Sequence, residues 1–366
     1  MNKKLIALAV AGATIAPAAL AQSANPVTLY GRVYVTFENV KASGGAAPVS
    51  ARNRVSNQAS LIGFRGTEDL GGGLKAFFQL ESGSTPDTGA TVTCNTTPCG
   101  ATAINGTFGS RNSGVGLQGD FGSILLGKWD TPFKTTTIVV DPFGDLTLGG
   151  ITGAVNDKGN FDLRPNNTVQ YWSPTLAGFS ARLHYSANEA KTAAANPVIT
   201  SLSGTYSGGP IYLGLAWEKH KDRTGGEPTN VASTLVPGFE EKGAAIFGTF
   251  TIGAVKIGAI TEKFKKTNLT DQKAAMVNLT YTVGSNQFIL QHARSKDGAA
   301  STAAQPDCKI NTVGYFYNFT RRTSFLTQYT QVKNNTAATC NFGANTLSIT
   351  ADQDPKGFAI GLRHTF

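Results

Sequence analysis

Apolar and polar residues alternate with a period of two along most of this chain. Ile211, Leu213, Leu215 and Trp217 share one face of a run whose other face carries Tyr212, Gly214, Ala216 and Glu218. Ala275, Val277, Leu279 and Tyr281 alternate with Met276, Asn278 and Thr280, and Val313, Tyr315, Tyr317 and Phe319 with Gly314, Phe316 and Asn318. Phe179, Ala181, Leu183 and Tyr185 do the same against Ser180, Arg182 and His184. Successive side chains of a strand point to opposite faces, so each run predicts a strand with one greasy and one polar side. About sixteen such runs occur. They lie near 27–38, 52–66, 73–83, 107–119, 121–129, 166–175, 178–187, 200–207, 210–219, 241–251, 252–264, 272–283, 285–295, 310–319, 323–333 and 356–366.

The connections alternate in length. Thr67–Gly72, Gly119–Phe121, Leu176–Ala177, Ser207–Pro210, Val283–Ser285 and Arg321–Arg322 are short turns. The segments 39–51, 84–106, 130–165, 188–199, 220–240, 265–271, 296–309 and 334–355 are longer and polar. Short turns at one end and long loops at the other describe a transmembrane β-barrel, and an even strand number closes it without an edge in lipid. A soluble β-sandwich would show the same alternation. The end segment favours the barrel: Phe358, Ile360, Leu362 and His364 alternate toward Phe366. An amphipathic strand finishing on an aromatic looks like the signal by which barrel-assembly machinery recognises outer-membrane substrates. The first run, near Thr28–Phe37, is the expected partner that closes the cylinder.

The start of the chain points to export. Lys3 and Lys4 precede an apolar stretch from Leu5 to Ala19, and Ala19-Leu20-Ala21 reads as a cleavage site before Gln22, so residues 1–21 are expected to be a signal peptide. A membrane anchor is the rival reading, and the stretch is short for one. After Gln22 no apolar run approaches the roughly 18 residues of a spanning helix. The expected domains are therefore a leader, 1–21, and one barrel, 22–366.

Composition fits this picture. Charged residues make up 15%, mean hydropathy is −0.11, and Gly (42 residues) and Phe (21 residues) are abundant, as many strands with tight turns and interfacial aromatics require. The formal charge is +9. Basic residues are scattered singly rather than clustered, which argues against nucleic acid and leaves anionic lipid or permeating anions as partners. Four cysteines in an oxidising compartment allow three connectivities; Cys94–Cys99 and Cys308–Cys340 are the expected pairs. His184, His220, His292 and His364 are far apart, and no zinc pattern, phosphate loop or nucleophile elbow is present, so neither metal, cofactor nor enzymatic activity is expected.

Specific segments extend the reading. Val27-Thr-Leu-Tyr-Gly31, Gly63-Phe-Arg-Gly-Thr-Glu-Asp-Leu-Gly-Gly-Gly-Leu-Lys-Ala76, Phe121-Gly-Ser-Ile-Leu-Leu-Gly-Lys128, Asp141-Pro-Phe-Gly-Asp145, Leu163-Arg-Pro-Asn-Asn167 and Gly361-Leu-Arg-His-Thr-Phe366 span the chain. Together they resemble the general trimeric porins of Gram-negative bacteria, in the beta-proteobacterial and neisserial branch. The resemblance implies a sixteen-stranded antiparallel barrel, a homotrimer in outer-membrane lipid and lipopolysaccharide, and a third loop folded inward to narrow a channel for ions and small hydrophilic solutes.

Segment 130–165 is the expected constriction loop, carrying Asp141, Asp145, Asp157 and Asp162 toward a basic wall. On that wall Arg111 and Arg164 match constriction arginines of the family, Lys128 and Lys75 match wall or near-wall cations, and Glu81 an acidic wall position. Strand parity independently turns Lys75, Phe77, Gln79 and Glu81 inward, and likewise Tyr30, Arg32, Tyr34 and Thr36. Arg111 and Lys128 share parity with lipid-facing neighbours, so a bulge or an early strand end has to redirect them. One family arginine is replaced by Leu61; Arg52 and Arg54 lie upstream as possible substitutes. A general channel with mild anion preference is the leading expectation. A substrate-specific channel with an aromatic ladder of Tyr30, Tyr34 and Phe77, and a plugged surface adhesin, remain open.

Overall fold

The computed structural model describes residues 27–88, 108–144, 146–187, 191–223, 235–300 and 303–366. The expected leader, Cys94, Cys99 and Asp145 lie outside them. Seventeen strand segments form one antiparallel sheet. They are β1 (Thr28–Gly44), β2 (Val49–Asn57), β3 (Leu61–Gly71), β4 (Leu74–Gly83), β5 (Ser113–Gly119), β6 (Gly122–Lys128), β7 (Thr168–Trp172), β8 (Phe179–Ser186) and β9 (Val198–Gly208). The series continues with β10 (Ile211–Arg223), β11 (Leu235–Ile252), β12 (Val255–Lys266), β13 (Gln272–Val283), β14 (Asn286–Lys296), β15 (Asp307–Asn318), β16 (Thr323–Asn334) and β17 (Gln353–Thr365).

From β3 onward each segment pairs with the next in sequence, and β17 returns to β1, with Arg32 opposite Thr365 and Gly44 opposite Gln353. Both β2 and β3 pair with β1, along Val35–Ala42 and Thr28–Arg32 respectively. They are two halves of one stave, so the barrel has sixteen. The interruption has a local cause. Ala59 sits at φ 50°, a conformation that breaks the ladder, and turns its carbonyl toward the guanidinium of Arg32 at 2.8 Å. Closure is completed by reciprocal backbone bonds of 3.0 Å between Gly31 and Phe366. A Cβ on Gly31 would lie 2.4 Å from the Phe366 ring, so only glycine admits that ring.

The alternation sorts lipid from lumen. Leu29, Val33, Phe37, Leu213, Leu215, Val277, Leu290, Val313 and Leu362 are exposed on the outer face. Aromatics gather near the short-turn ends: Phe179 contacts Tyr206, Phe288 contacts Tyr281 and Tyr315, and Tyr317 meets Phe319 edge to face. Such a girdle places amphipathic rings at the membrane boundary.

Sequence and structure differ most beyond the lipid. The segment expected as loop 39–51 is largely the outer ends of β1 and β2, and expected loop 220–240 is shortened from both sides by β10 and β11. There the outward positions become Lys41, Asn53 or Lys221. Strand hydrogen bonding continues while the apolar alternation stops, because no hydrocarbon remains to face.

Candidate pore constriction

Segment 130–165 folds into the barrel. It opens with a short helix, α1 (Pro132–Thr137), whose N-cap Thr131 accepts a hydrogen bond from the Lys134 amide and whose first position is Pro132. From there the chain runs along the inner wall. Ser201 of β9 accepts from the Phe133 amide at 3.1 Å, and Asn278 of β13 donates to the Val140 carbonyl at 2.8 Å. Gln291 of β14 donates to the Gly149 carbonyl at 2.6 Å, and Gln58 accepts from the Thr147 amide at 2.9 Å. The return limb is seated by Glu262 of β12, which accepts from the Asn156 amide at 2.8 Å.

An apolar layer lies between loop and wall. Phe133, Val140, Phe143, Leu148, Ile151, Val155 and Phe161 are buried against Phe247, Ile260, Phe264, Met276, Ile310, Phe316 and Val332. Each large side chain removed from water contributes about 1.5–3 kcal/mol. The inward faces of β10–β17 are therefore not all polar, because much of their area is covered by protein rather than water.

On the return limb Asn156, Asp157 and Lys158 have φ of 52°, 50° and 53°. Successive left-handed residues cost of order 1–3 kcal/mol each. The turn aims Asp157 at Lys266, 2.5 Å away, and Lys266 also lies 3.6 Å from Glu241. Burial pushes the Asp157 carboxyl above its usual range, against the pull of Lys266.

Where the two ends of the loop meet β4–β6, cations outnumber carboxylates. Arg111 precedes β5, donates to Glu81 at 2.6 Å, and its amide bonds the Glu81 carbonyl at 2.8 Å. This is the early strand end that its parity required. Arg164 lies 2.8 Å from Asp130 and donates to Asn112 at 2.8 Å. Lys134 approaches Asp162 at 2.7 Å and Asp130 at 3.6 Å. Burial alone would raise the Asp130 carboxyl, but Lys134 and Arg164 outweigh it and hold it below the usual aspartate range. Lys128 ends β6 and donates to the Arg164 carbonyl and Asn166 at 2.9 Å each. Arg32 feels the charges of Arg111, Arg363 and Glu81, and Tyr30 donates to Glu81 at 3.1 Å.

Thus Arg32, Glu81, Arg111, Lys128 and Arg164 come together around loop and wall. Lys75 does not join them, since six residues of extended chain, about 20 Å, separate it from Glu81. Asp141 is buried within the loop, where it accepts the amides of Phe143 and Ile151 at 2.8 Å each; it braces the loop's shape. Tyr34 is only 1% exposed, under the loop beside Phe143, and cannot serve as a rung of an aromatic ladder. Of the upstream arginines, Arg54 is bound to Glu38 at 2.7 Å.

Asp130, Lys134, Arg65 and Arg363 were missed by sequence reasoning. Asp130 and Lys134 carried a signal, opposite charges four apart across a Pro-initiated turn. Arg65 and Arg363 share the inward parity of Gly63 and Thr67, and of Ala359 and Gly361.

A second loop holds the first in place. Segment 335–352 donates its Gly343 and Ala344 amides to the Leu148 and Thr147 carbonyls at 3.0 and 2.9 Å, and Phe342 packs in the same apolar layer as Leu148. A disulfide joins Cys340 of this segment to Cys308 of β15, one of the two expected pairs. A bridge closing a loop of this length removes about 3–4 kcal/mol of unfolded-state entropy. Reduction, or Cys308→Ser with Cys340→Ser, is expected to leave the barrel folded and to increase open-channel current noise at least severalfold. A current as quiet as that of the oxidised protein would show that the clamp does not depend on the bridge.

The family model for Gram-negative porins matches residues 7–337. Outer membrane porin protein 32 of Delftia acidovorans is 30% identical over the full length of both chains. Major outer membrane protein P.IB of Neisseria gonorrhoeae is 34% identical over half of this chain and 48% of its own. Among solved structures, an anion-selective porin from Comamonas acidovorans superimposes with a TM-score of 0.76 at 26% identity, over 93% of this chain and 100% of that one. OmpT of Vibrio cholerae shares the fold alone, with a TM-score of 0.67 at 17% identity over 94% and 98% of the two chains. The chain belongs to the Gram-negative porin family, and as such forms an outer-membrane channel for small solutes.

Proposed function

We propose that loop 130–165 and the basic wall facing it form the narrowest part of this channel, and that the channel is a homotrimeric diffusion pore with a weak preference for anions. One observation carries the reading. Arg32, Arg111, Lys128, Lys134 and Arg164 converge on Glu81, Asp130 and Asp162, five cations against three carboxylates. Arg65 and Arg363 add positive charge nearby. A ring of charge at a constriction selects by sign, and the partial neutralisation within ion pairs makes the preference mild. The anion-selective porin from Comamonas acidovorans supports the same sign. A trimer form among structures of this fold supports the assembly. Relatives of this chain are channels, and the reading assigns it transport alone.

Reversal potentials across planar bilayers in a potassium chloride gradient test the sign. Chloride is expected to permeate about two to five times more readily than potassium, given roughly 1 kcal/mol per unit charge at contact in watery surroundings. A cation-selective potential overturns the selectivity, and absence of conductance favours a plugged barrel.

A further inference from the structure

The polar wall of the lumen carries one aromatic recess that the constriction does not use. Phe77 of β4 and Trp172 of β7 stack with centroids 6.3 Å apart and planes inclined by 24°. Trp129, just after β6, meets Trp172 at 5.5 Å. Inward strand parity puts Phe77 and Trp172 on the water side, and all three rings are only partly buried. They bound a recess of about 570 Å³ that Arg65, Gln79 and Gln118 also line, within the volume range of small-molecule sites. Half-wet aromatic surface on an aqueous wall costs free energy unless something covers it.

Two guanidiniums accompany the rings. Arg182 of β8 lies 5.5 Å from the Trp172 ring centroid, and Arg65 lies 5.1 Å from that of Tyr30. Among the described residues neither has a carboxylate within ion-pair distance, in contrast to Arg54, Arg111 and Arg164. The indole N–H of Trp172 is already engaged, donating to Gln170 at 2.7 Å, so Trp172 offers its face rather than its edge. Faces without donors, next to cations without counterions, suit a planar ring bearing one negative charge.

We propose that this recess is a binding subsite for aromatic monocarboxylates on their way through the pore. The ring lies against Trp172 and Phe77, and the carboxylate is held by Arg182, the guanidinium beside Trp172, with Arg65 adding to the positive field. A simple aliphatic acid would have the charge but no ring, and an uncharged aromatic the ring but no charge, so each makes half of the contacts. The proposal rests on the channel reading above, because the recess is reached only through a water-filled lumen.

The test uses benzoate as the probe, with acetate and benzyl alcohol as controls, on the purified full chain. Trp129 and Trp172 are two of three tryptophans in the chain, so emission reports the recess directly. Benzoate at millimolar concentration is expected to change tryptophan emission and to interrupt the chloride current of single channels, with acetate and benzyl alcohol at least tenfold weaker. Arg182→Gln and Trp172→Ala should each weaken the benzoate effect about tenfold while chloride conductance persists. Arg182→Gln keeps the stacked rings, so it decides the matter if Trp172→Ala does not fold. Acetate as effective as benzoate, or a benzoate effect unchanged in Arg182→Gln, overturns the proposal. A channel that passes no chloride would overturn the channel reading instead, and the emission titration would still decide the subsite.

Discussion

Replacing Lys266 by Met should detach the return limb of the constriction loop while leaving the barrel closed. Lys266 is the cation against which Asp157 is buried, and Glu241 lies on its other side. Glu218 and Glu241 flank His220 at 2.8 and 3.7 Å, and Glu262 seats the Asn156 amide in the same wall. Removing one partner of a buried pair costs about 3–5 kcal/mol, since the remaining charge has no water to turn to. The inter-strand ladder does not depend on that pair, so the loss falls on the three left-handed residues, which then keep only Glu262 on the Asn156 amide and the Lys158–Asp297 pair as polar ties to the wall. Amide exchange in segment 156–163 should accelerate by about two to three orders of magnitude, with frequent partial closures in single-channel records. Burial has raised the Asp157 carboxyl, so the sign of the pH effect is fixed. The protonated form is the better accommodated one, and acidification through the raised value should restore protection in the variant. Lys266→Met combined with Asp157→Asn should recover most of the loss at neutral pH, as a double-mutant cycle would show. Exchange and current noise unchanged in the single variant would mean that the apolar contacts of Phe161 with Phe264 and His220 suffice to seat the limb.

How much of this arrangement could be read from the chain depends on what each residue faces. Every stave of the barrel was legible, because lipid on one side and water or loop on the other impose a period of two. The limits of the outer strands were not, since Lys221 above the membrane carries no apolar signal although its backbone still pairs with Val198 and Glu240. Parity correctly turned Tyr34 and Glu81 inward, but parity says nothing of what covers an inward side chain. Tyr34 lies under the loop and Glu81 borders the basic cluster, a difference settled by where residues 141–149 come to rest. Asp141 was legible as a carboxylate on the constriction loop. That it folds back on its own amides depends on the turn after Pro142, which no periodic pattern encodes. Arg111 was the reverse case: its parity pointed to lipid, and the strand's start at Ser113 freed it to reach Glu81.

Asp130→Asn should make the channel markedly more selective for anions. Asp130 counters two cations, Arg164 at 2.8 Å and Lys134 at 3.6 Å, and is itself only 8% exposed. Asparagine keeps the shape and the hydrogen bonds to Asn112 but removes one negative charge, so the local excess of two positive charges becomes three. A unit charge at about 4–5 Å in largely watery surroundings is worth roughly 1 kcal/mol, less after screening by salt. The chloride-to-potassium permeability ratio should therefore rise about two- to fivefold at low ionic strength, and the gain should shrink as salt is raised. Arg164→Gln should move the ratio the other way. Lys134 and Arg164 hold the Asp130 carboxyl below its usual range despite burial, so the wild-type charge persists across neutral and mildly acidic pH. The gap between wild type and variant should accordingly stay constant down to about pH 4, where free aspartate titrates, and close only as pH falls through the depressed value. Stability follows the same sign: the ion-pair contribution is present above the ordinary aspartate pKa and is lost on further acidification. A ratio unchanged by Asp130→Asn, or a gap that closes well above pH 4, would place the selecting charges elsewhere along the lumen.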